Sequence, residues 1–335
     1  MSEPLRNITF AEKNKVMLNK VWNWLKTDSR LVFFIIFAFT AVHLTEVKIA
    51  MTPAWTDGTL VHNHQSLLNF TFTNNEQSRL FQYYVPEFFV RTIGYSIPEA
   101  YELQRRLFTF LSFALFFLFA RKWLSRELSF LSVMLLAVTM PFTFRNHLQE
   151  SASLLMVTFL LALWAIREKK DFLFALVLLV GAVNNETMLF LPALYFFDRF
   201  ERFELKHLIR ISAKMFVLIA PAFAVVGYIR YLTRDAPHLG GAYHLPANIS
   251  MIRFPILIFH VFWVLAYLKM SEKPRFLQRA LWSVPLFIIP HMITGIITET
   301  RQMLPLSYII FPAALFFLFG SGAHSDNQST QKILD

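Results

Sequence analysis

The chain has no cysteine. Disulfides, thiolate metal sites, iron–sulfur clusters and thiol nucleophiles are therefore excluded. Glycine is scarce, with 9 among 335 residues. Neither a Gly-rich phosphate loop nor a Gly-x-Ser-x-Gly elbow is present. Charge is scarce as well. Asp, Glu, Lys and Arg make up 16%, against about 25% in an ordinary soluble protein. No loop is long enough for a separate globular domain, and no soluble repeat period is visible. Apolar residues make up 56%, including 38 Phe. They gather into runs that approach the roughly twenty residues of a membrane crossing. The class expected is an all-α polytopic integral membrane protein.

The net charge is +10. In a soluble protein this would suggest nucleic acid. Here the cations sit in short loops between apolar runs, where topology and anionic lipid headgroups account for them. No nucleic-acid partner is expected.

One stretch orders the rest. Two apolar arms, 172–183 and 188–197, flank Asn184-Asn185-Glu186-Thr187. Each arm is about half a membrane crossing. A single helix through both would bury a carboxylate near the bilayer centre, at a cost of at least about 2.5–3.5 kcal/mol. Basic segments flank both arms: Arg167, Lys169 and Lys170 before, Arg199, Arg202, Lys206 and Arg210 after. The positive-inside tendency places both in the cytoplasm. A hairpin of two half-helices satisfies both demands and points its polar apex outward.

From that anchor the hydropathy and loop charges predict about ten crossings with both termini cytoplasmic. Residues 1–30 read as a cytoplasmic segment without a signal-peptide cleavage pattern. An interfacial helix is expected at 13–25, with Val16, Met17, Val21, Trp22 and Leu25 on one face. The transmembrane domain is 31–320, with outer loops 51–95, 142–150 and 230–250. The first crossing is 31–50, the second 107–120, and a later one 251–268. Residues 80–95 read as a helix or re-entrant piece in the outer interface. Residues 321–335 read as a disordered cytoplasmic tail.

The cytoplasmic loops are dominated by Lys and Arg, so chemistry is expected on the outer side. Glu186 heads the candidates: it either lines a cavity at the hairpin apex or, with Asn185, caps the second arm. Arg145, His147 and Glu150 form a polar turn suited to phosphate or carboxylate, or an ordinary solvated loop. Glu299-Thr300-Arg301 holds an anionic headgroup or forms a local ion pair. Asp57, in Trp55-Thr56-Asp57-Gly58, is a general base or a turn residue. His260 and His291 lie in neighbouring crossings, as bundle histidines or axial haem ligands. His62 and His64 have a metal-like spacing without an evident third ligand. No metal site is assigned and the cofactor is unknown; a divalent metal is possible but not indicated. The sequons at Asn69, Asn185 and Asn248 are short enough to arise by chance.

These residues, in this order, resemble the GT-C class of polytopic glycosyltransferases. An acid follows the first crossing, as Asp57 does. A polar outer turn precedes a crossing, as 145–150 does. A short hairpin carries an apex before an apolar run with proline, as Asn184-Asn185-Glu186-Thr187-Met188-Leu189-Phe190-Leu191-Pro192 does. An acidic-x-Arg turn leads into a last crossing, as Glu299-Thr300-Arg301-Gln302-Met303-Leu304-Pro305 does. Asn185 stands where the class commonly has a basic residue, so one contact to donor phosphate is either missing or supplied by Arg145. The resemblance spans about 31–320 by pattern, through short motifs. It implies a membrane transferase moving a sugar from a polyprenyl-phosphate carrier to a lipid, glycan or protein acceptor at the extracytoplasmic face. Asp57 would be the base. Arg145, His147, Glu150, Asn185, Glu186, Glu299 and Arg301 would bind donor phosphate and sugar. Trp55, Tyr83, Tyr84 and Tyr243 would offer stacking faces. The expected setting is a bacterial inner membrane. Rival readings are a transporter or flippase for a lipid-linked or amphipathic solute, a glycan polymerase or ligase of another fold, and a non-catalytic membrane scaffold.

Overall fold

The computed structural model describes residues 29–72, 75–144, 148, 150–235 and 243–320. The expected helix at 13–25 and the tail at 321–335 lie outside the described residues. Among the described residues every regular element is helical. The chain runs through α1 (Ser29–Ala50), α2 (Thr59–Leu68), α3 (Leu80–Ile93), α4 (Ile97–Ala120), α5 (Arg126–Thr139), α6 (Ser151–Arg167) and α7 (Asp171–Asn184). It continues through α8 (Leu191–Arg199), α9 (Leu205–Leu232), α10 (Leu245–Ser250), α11 (Arg253–Phe259), α12 (Phe262–Tyr267), α13 (Arg275–Thr294) and α14 (Ser307–Phe319). Short 3-10 turns at Asn75–Ser78, Met140–Thr143, Glu186–Phe190 and Thr300–Leu306 join several of them.

Among the described residues six segments are long and apolar enough to cross a membrane: Leu31–Ala50, Ile97–Ala120, Arg126–Thr143, Leu205–Leu232, Arg275–Thr294 and Thr300–Phe319. This is compatible with a multi-pass membrane protein. Of the two shorter apolar helices, α6 lies inside the bundle, whereas α7 leaves Phe172, Leu173, Leu176 and Val180 exposed along one side. A helix that is apolar on every side packs against protein or faces lipid. α6 is surrounded by α4, α7 and α8, and α14 is enclosed from Ser307 to Leu315. Their side chains meet Phe116, Phe159 and Phe287 in one continuous apolar core.

Two elements differ from the hydropathy reading. The second crossing begins at Ile97, ten residues before the expected 107. Ser96 and Glu99 close a capping box on that start, and Pro98 occupies the first turn. Glu102 and Arg106 pair one turn apart on α4, and Arg106 also binds Glu46 of α1 at 2.5 Å. Charges that looked like loop are thus carried by paired helix faces. The expected crossing at 251–268 is not one helix. It breaks into α11 and α12 at His260, whose φ is 47°. Trp263 Nε1 donates to Pro255 O across the break at 2.9 Å.

The arms of the hairpin, α7 and α8, run back on each other. Asp171, opening α7, accepts hydrogen bonds from Tyr195 Oη (3.1 Å) and Arg199 Nη2 (3.0 Å) near the end of α8. Phe174 stacks on Tyr195 at 5.1 Å. At the turn Gly181 lets Met188 come close. A Cβ on Gly181 would lie 2.6 Å from Met188 Cε and 2.9 Å from its Cγ. Gly181→Val is therefore expected to lower stability by about 1–3 kcal/mol through overpacking. The check is the unfolding temperature in detergent; an unchanged value would show that Met188 swings clear.

Charges sort to the two ends of the bundle. One end holds Lys122 with Glu168, Arg199 with Asp171 and Arg275 with Glu201. The other holds Lys48, Asp57, Arg79, Arg105, Glu150, Glu186, Glu299 and Arg301.

Candidate functional site

The hairpin apex is built by its asparagines. Asn184 Nδ2 donates to Ser151 O (2.9 Å), and Asn185 Nδ2 to Ser151 Oγ (3.2 Å). Asn185 Oδ1 accepts from the Thr187 amide at 3.0 Å, capping the next turn. The apex is thereby fixed beside Ser151, and Glu150 stands one residue away in sequence.

Glu186 projects from this apex into a fork of Arg79. Arg79 Nε donates to Oε2 at 3.2 Å and Nη2 to Oε1 at 3.1 Å. This is the planar two-bond geometry that arginine favours with carboxylates. Arg230, at the end of α9, stands 3.8 Å away. Burial pushes the Glu186 carboxyl up, but the Arg79 charge and hydrogen bonds outweigh it and hold it down at about 2. The stability from this pair is present above the ordinary value of 4.5 and is lost as pH falls from there toward 2. Glu186→Gln is expected to flatten unfolding temperature against pH over that window. An unchanged acid limb would mean that Glu186 is not the group responsible.

A cleft lies beside the apex. It is lined by Lys48, Arg105, Met140, Thr143, Phe144, Ala152, Ser153, Met156, Arg301 and Leu304, and its water-accessible volume is about 30 Å³. Lys48, Arg105 and Arg301 come from α1, α4 and the turn before α14, and all three are buried. Arg105 Nη1 donates to Glu150 Oε2 at 2.6 Å, and its guanidinium lies over the Phe144 ring at 4.6 Å. Arg301 Nη2 donates to Glu299 Oε2 at 2.9 Å, joined there by Gln302 Nε2 at 3.2 Å. Lys48 is within electrostatic reach of Glu150, Arg105 and Arg301. Among the described residues Arg105 Nε and Glu150 Oε1 have no hydrogen-bond partner. Burying several charges is expensive, and such clusters concentrate where charge is handled. The chemistry on offer is anion binding by an arginine fork and an ammonium against an apolar wall.

The cleft and the apex share a wall. Arg79 feels Glu299 and Glu76 as well as Glu186. Glu186, Arg79, Glu299, Arg301 and Lys48 thus form one chain of neighbouring charges. Glu150, Glu186, Glu299 and Arg301 are brought into this layer, and Asn185 supports it as a cap. Arg145 and His147 lie outside the described residues. Tyr83 is buried and hydrogen-bonded to Gln77 O at 3.1 Å, whereas Tyr84 and Tyr243 are exposed.

Asp57 sits apart in an exposed turn. Its Oδ1 accepts from the Thr59 amide at 2.9 Å, starting α2 after Gly58, whose φ of 91° suits glycine. That hydrogen bonding keeps the carboxyl below its usual range. Trp55, two residues earlier, is buried against Tyr101 and Leu60, and Leu148 packs on the same cluster. The Asp57 turn and Leu148 are therefore linked through this small apolar knot.

Sequence reasoning passed over Lys48, Arg79 and Arg105. A signal existed for Lys48, a cation inside the apolar run 31–50, which is a functional candidate by default. Among the described residues no group of three or more His, Asp and Glu side chains is placed to hold a metal. His291 is engaged by the Phe287 carbonyl at 2.7 Å. The chain matches no known protein family, no curated protein and no solved structure.

Proposed function

We propose that the protein is a multi-pass membrane glycosyltransferase of GT-C-like architecture. It takes a sugar from a polyprenyl-phosphate carrier at the extracytoplasmic face. One observation carries this reading: buried Lys48, Arg105 and Arg301 converge on a cleft at the end of the bundle that also carries Asp57 and the Glu186 apex. The opposite, Lys- and Arg-rich end is assigned to the cytoplasm. A lipid-linked donor reaches such a cleft from within the bilayer, with its phosphate at the membrane edge.

In the reaction an acceptor hydroxyl oxygen attacks the sugar's anomeric carbon. The bond from that carbon to the phosphate oxygen breaks, and polyprenyl phosphate leaves with the electron pair. Asp57 takes the hydroxyl proton. Lys48 and Arg301 stabilise the charge that grows on the leaving phosphate. Glu299 and Glu150 orient the arginines, and Glu186 fixes Arg79 beside them.

The test is transfer by the reconstituted protein from a panel of polyprenyl-phosphate hexoses and pentoses. Release of polyprenyl phosphate, abolished in Arg301→Ala, supports the reading; no release from any donor opposes it. The helix broken at His260 favours a second reading, transport of an amphipathic solute, because discontinuous helices also build transporter sites. A lipid-linked sugar recovered chemically intact on the far side of the membrane would select that reading.

A further inference from the structure

A buried polar chain at the Asp57 end is not used by the donor cleft. His64 of α2 is 1% exposed. Its Nε2 lies 3.0 Å from Glu87 Oε2 of α3, and its Nδ1 lies 3.1 Å from Tyr101 Oη of α4. An ionised carboxylate only accepts, so Nε2 carries a proton. Nδ1 and the Tyr101 hydroxyl share the second hydrogen bond, its direction set by the tautomer. Arg91 Nε holds the other oxygen of Glu87 at 2.5 Å. Three elements are thus tied through one imidazole.

Tyr101 is also 1% exposed and is met from two sides. His64 stands edge-on to it at 5.6 Å and Trp55 edge-on at 6.4 Å. Trp55 and His64 bracket Asp57 in sequence. Both ends of the segment that carries the carboxylate therefore dock on one phenol. Tyr101 and Arg105 are four residues apart on α4, so they share a face about 6 Å apart along the axis. One helical turn separates Tyr101, on which Trp55 and His64 dock, from the cleft wall at Arg105.

We propose that Tyr101 and His64 are positioning residues, whose hydrogen bond holds the Asp57 turn in register with the phosphate cleft. This rests on Asp57 being the base. A rigid spacer between base and leaving group matters because small misplacements of a reacting group cost about 10²-fold in rate.

Tyr101→Phe tests it, since the ring and its packing remain while the hydroxyl is removed. The reactions are followed as polyprenyl phosphate release from a polyprenyl-phosphate hexose that the transfer assay shows to be a donor. The expected result is a fall in kcat of about tenfold or more with donor KM within about twofold. Added to Asp57→Asn, it should cause no further loss. Docking is read separately through Leu60→Cys, a single buried thiol in a chain without cysteine, on α2. Its labelling should speed up about tenfold when Tyr101→Phe leaves Nδ1 unpartnered. Wild-type kcat in Tyr101→Phe overturns the inference even if labelling accelerates, since the tie would then be merely structural. A loss that multiplies with that of Asp57→Asn overturns it too. Full turnover in Asp57→Asn overturns the base assignment and this inference together. Full loss there with none in Tyr101→Phe overturns this inference alone.

Discussion

Arg105→Ala is expected to destabilise the protein by about 3–5 kcal/mol, because it removes the cation hydrogen-bonded to the buried Glu150 and leaves that carboxylate with Lys48 as a neighbouring charge. The pair is enclosed: the Glu150 side chain is 0% exposed and that of Arg105 7%. At 2.6 Å the two are hydrogen-bonded as well as charged. The loss should be visible as a fall in unfolding temperature in detergent. Replacing both partners, as Arg105→Met with Glu150→Leu, should restore most of it, since apolar groups of similar volume often substitute for a buried pair without net cost. The double variant should fold and still fail to bind donor. That outcome would show a pair retained for its charge at the site. A double variant with full donor binding would reduce the pair to a packing element.

Arg301→Gln should have the largest kinetic effect among the cleft cations. In the proposed transfer the leaving phosphate would gain charge as the bond to the sugar breaks, and Arg301 is already oriented by Glu299 at 2.9 Å. Removing one preorganised donor to a developing oxyanion typically costs about 10²–10³ in kcat. A loss of that order is expected here, with folding intact. Arg301→Lys should recover part of the rate. It restores the charge but not the two-pronged fork, which is what recognises a phosphate in a fixed orientation. Rates would be measured under saturating donor, so that weaker binding and slower chemistry separate. A rise in KM alone, with kcat unchanged, would assign Arg301 to ground-state binding.

The sequence showed the helical class plainly, since runs such as 31–50 and 303–319 are too apolar for anything else. The hairpin was legible because Asn184, Asn185 and Glu186 interrupt an apolar stretch of half-crossing arms. Glu299 and Arg301 were legible because they lie two residues apart and pair locally. Arg105 was not. Its partner Glu150 is 45 residues away, and the charges around it suggested loop where α4 had already begun. Arg79 was hidden for the same reason, with 107 residues between it and Glu186. Lys48 lies at the outer end of the first apolar run, where a cation runs against the positive-inside tendency and so carried a legible signal. Nothing in the run 251–268 announced the break at His260, a residue with no special tolerance for the conformation it adopts. Pairings distant in sequence are set by packing, and hydropathy carries no record of them.

The central claim is that the Lys48, Arg105 and Arg301 cleft holds the phosphate of a polyprenyl carrier. The most direct measurement is binding of polyprenyl phosphate, against the matching uncharged polyprenol, to the protein in lipid nanodiscs. The expected result is preference for the phosphate, weakened about 10–100-fold in Lys48→Gln and in Arg301→Gln, the worth of a hydrogen bond to a charged group. Equal binding of phosphate and alcohol, or a preference for phosphate that both substitutions leave intact, would contradict it.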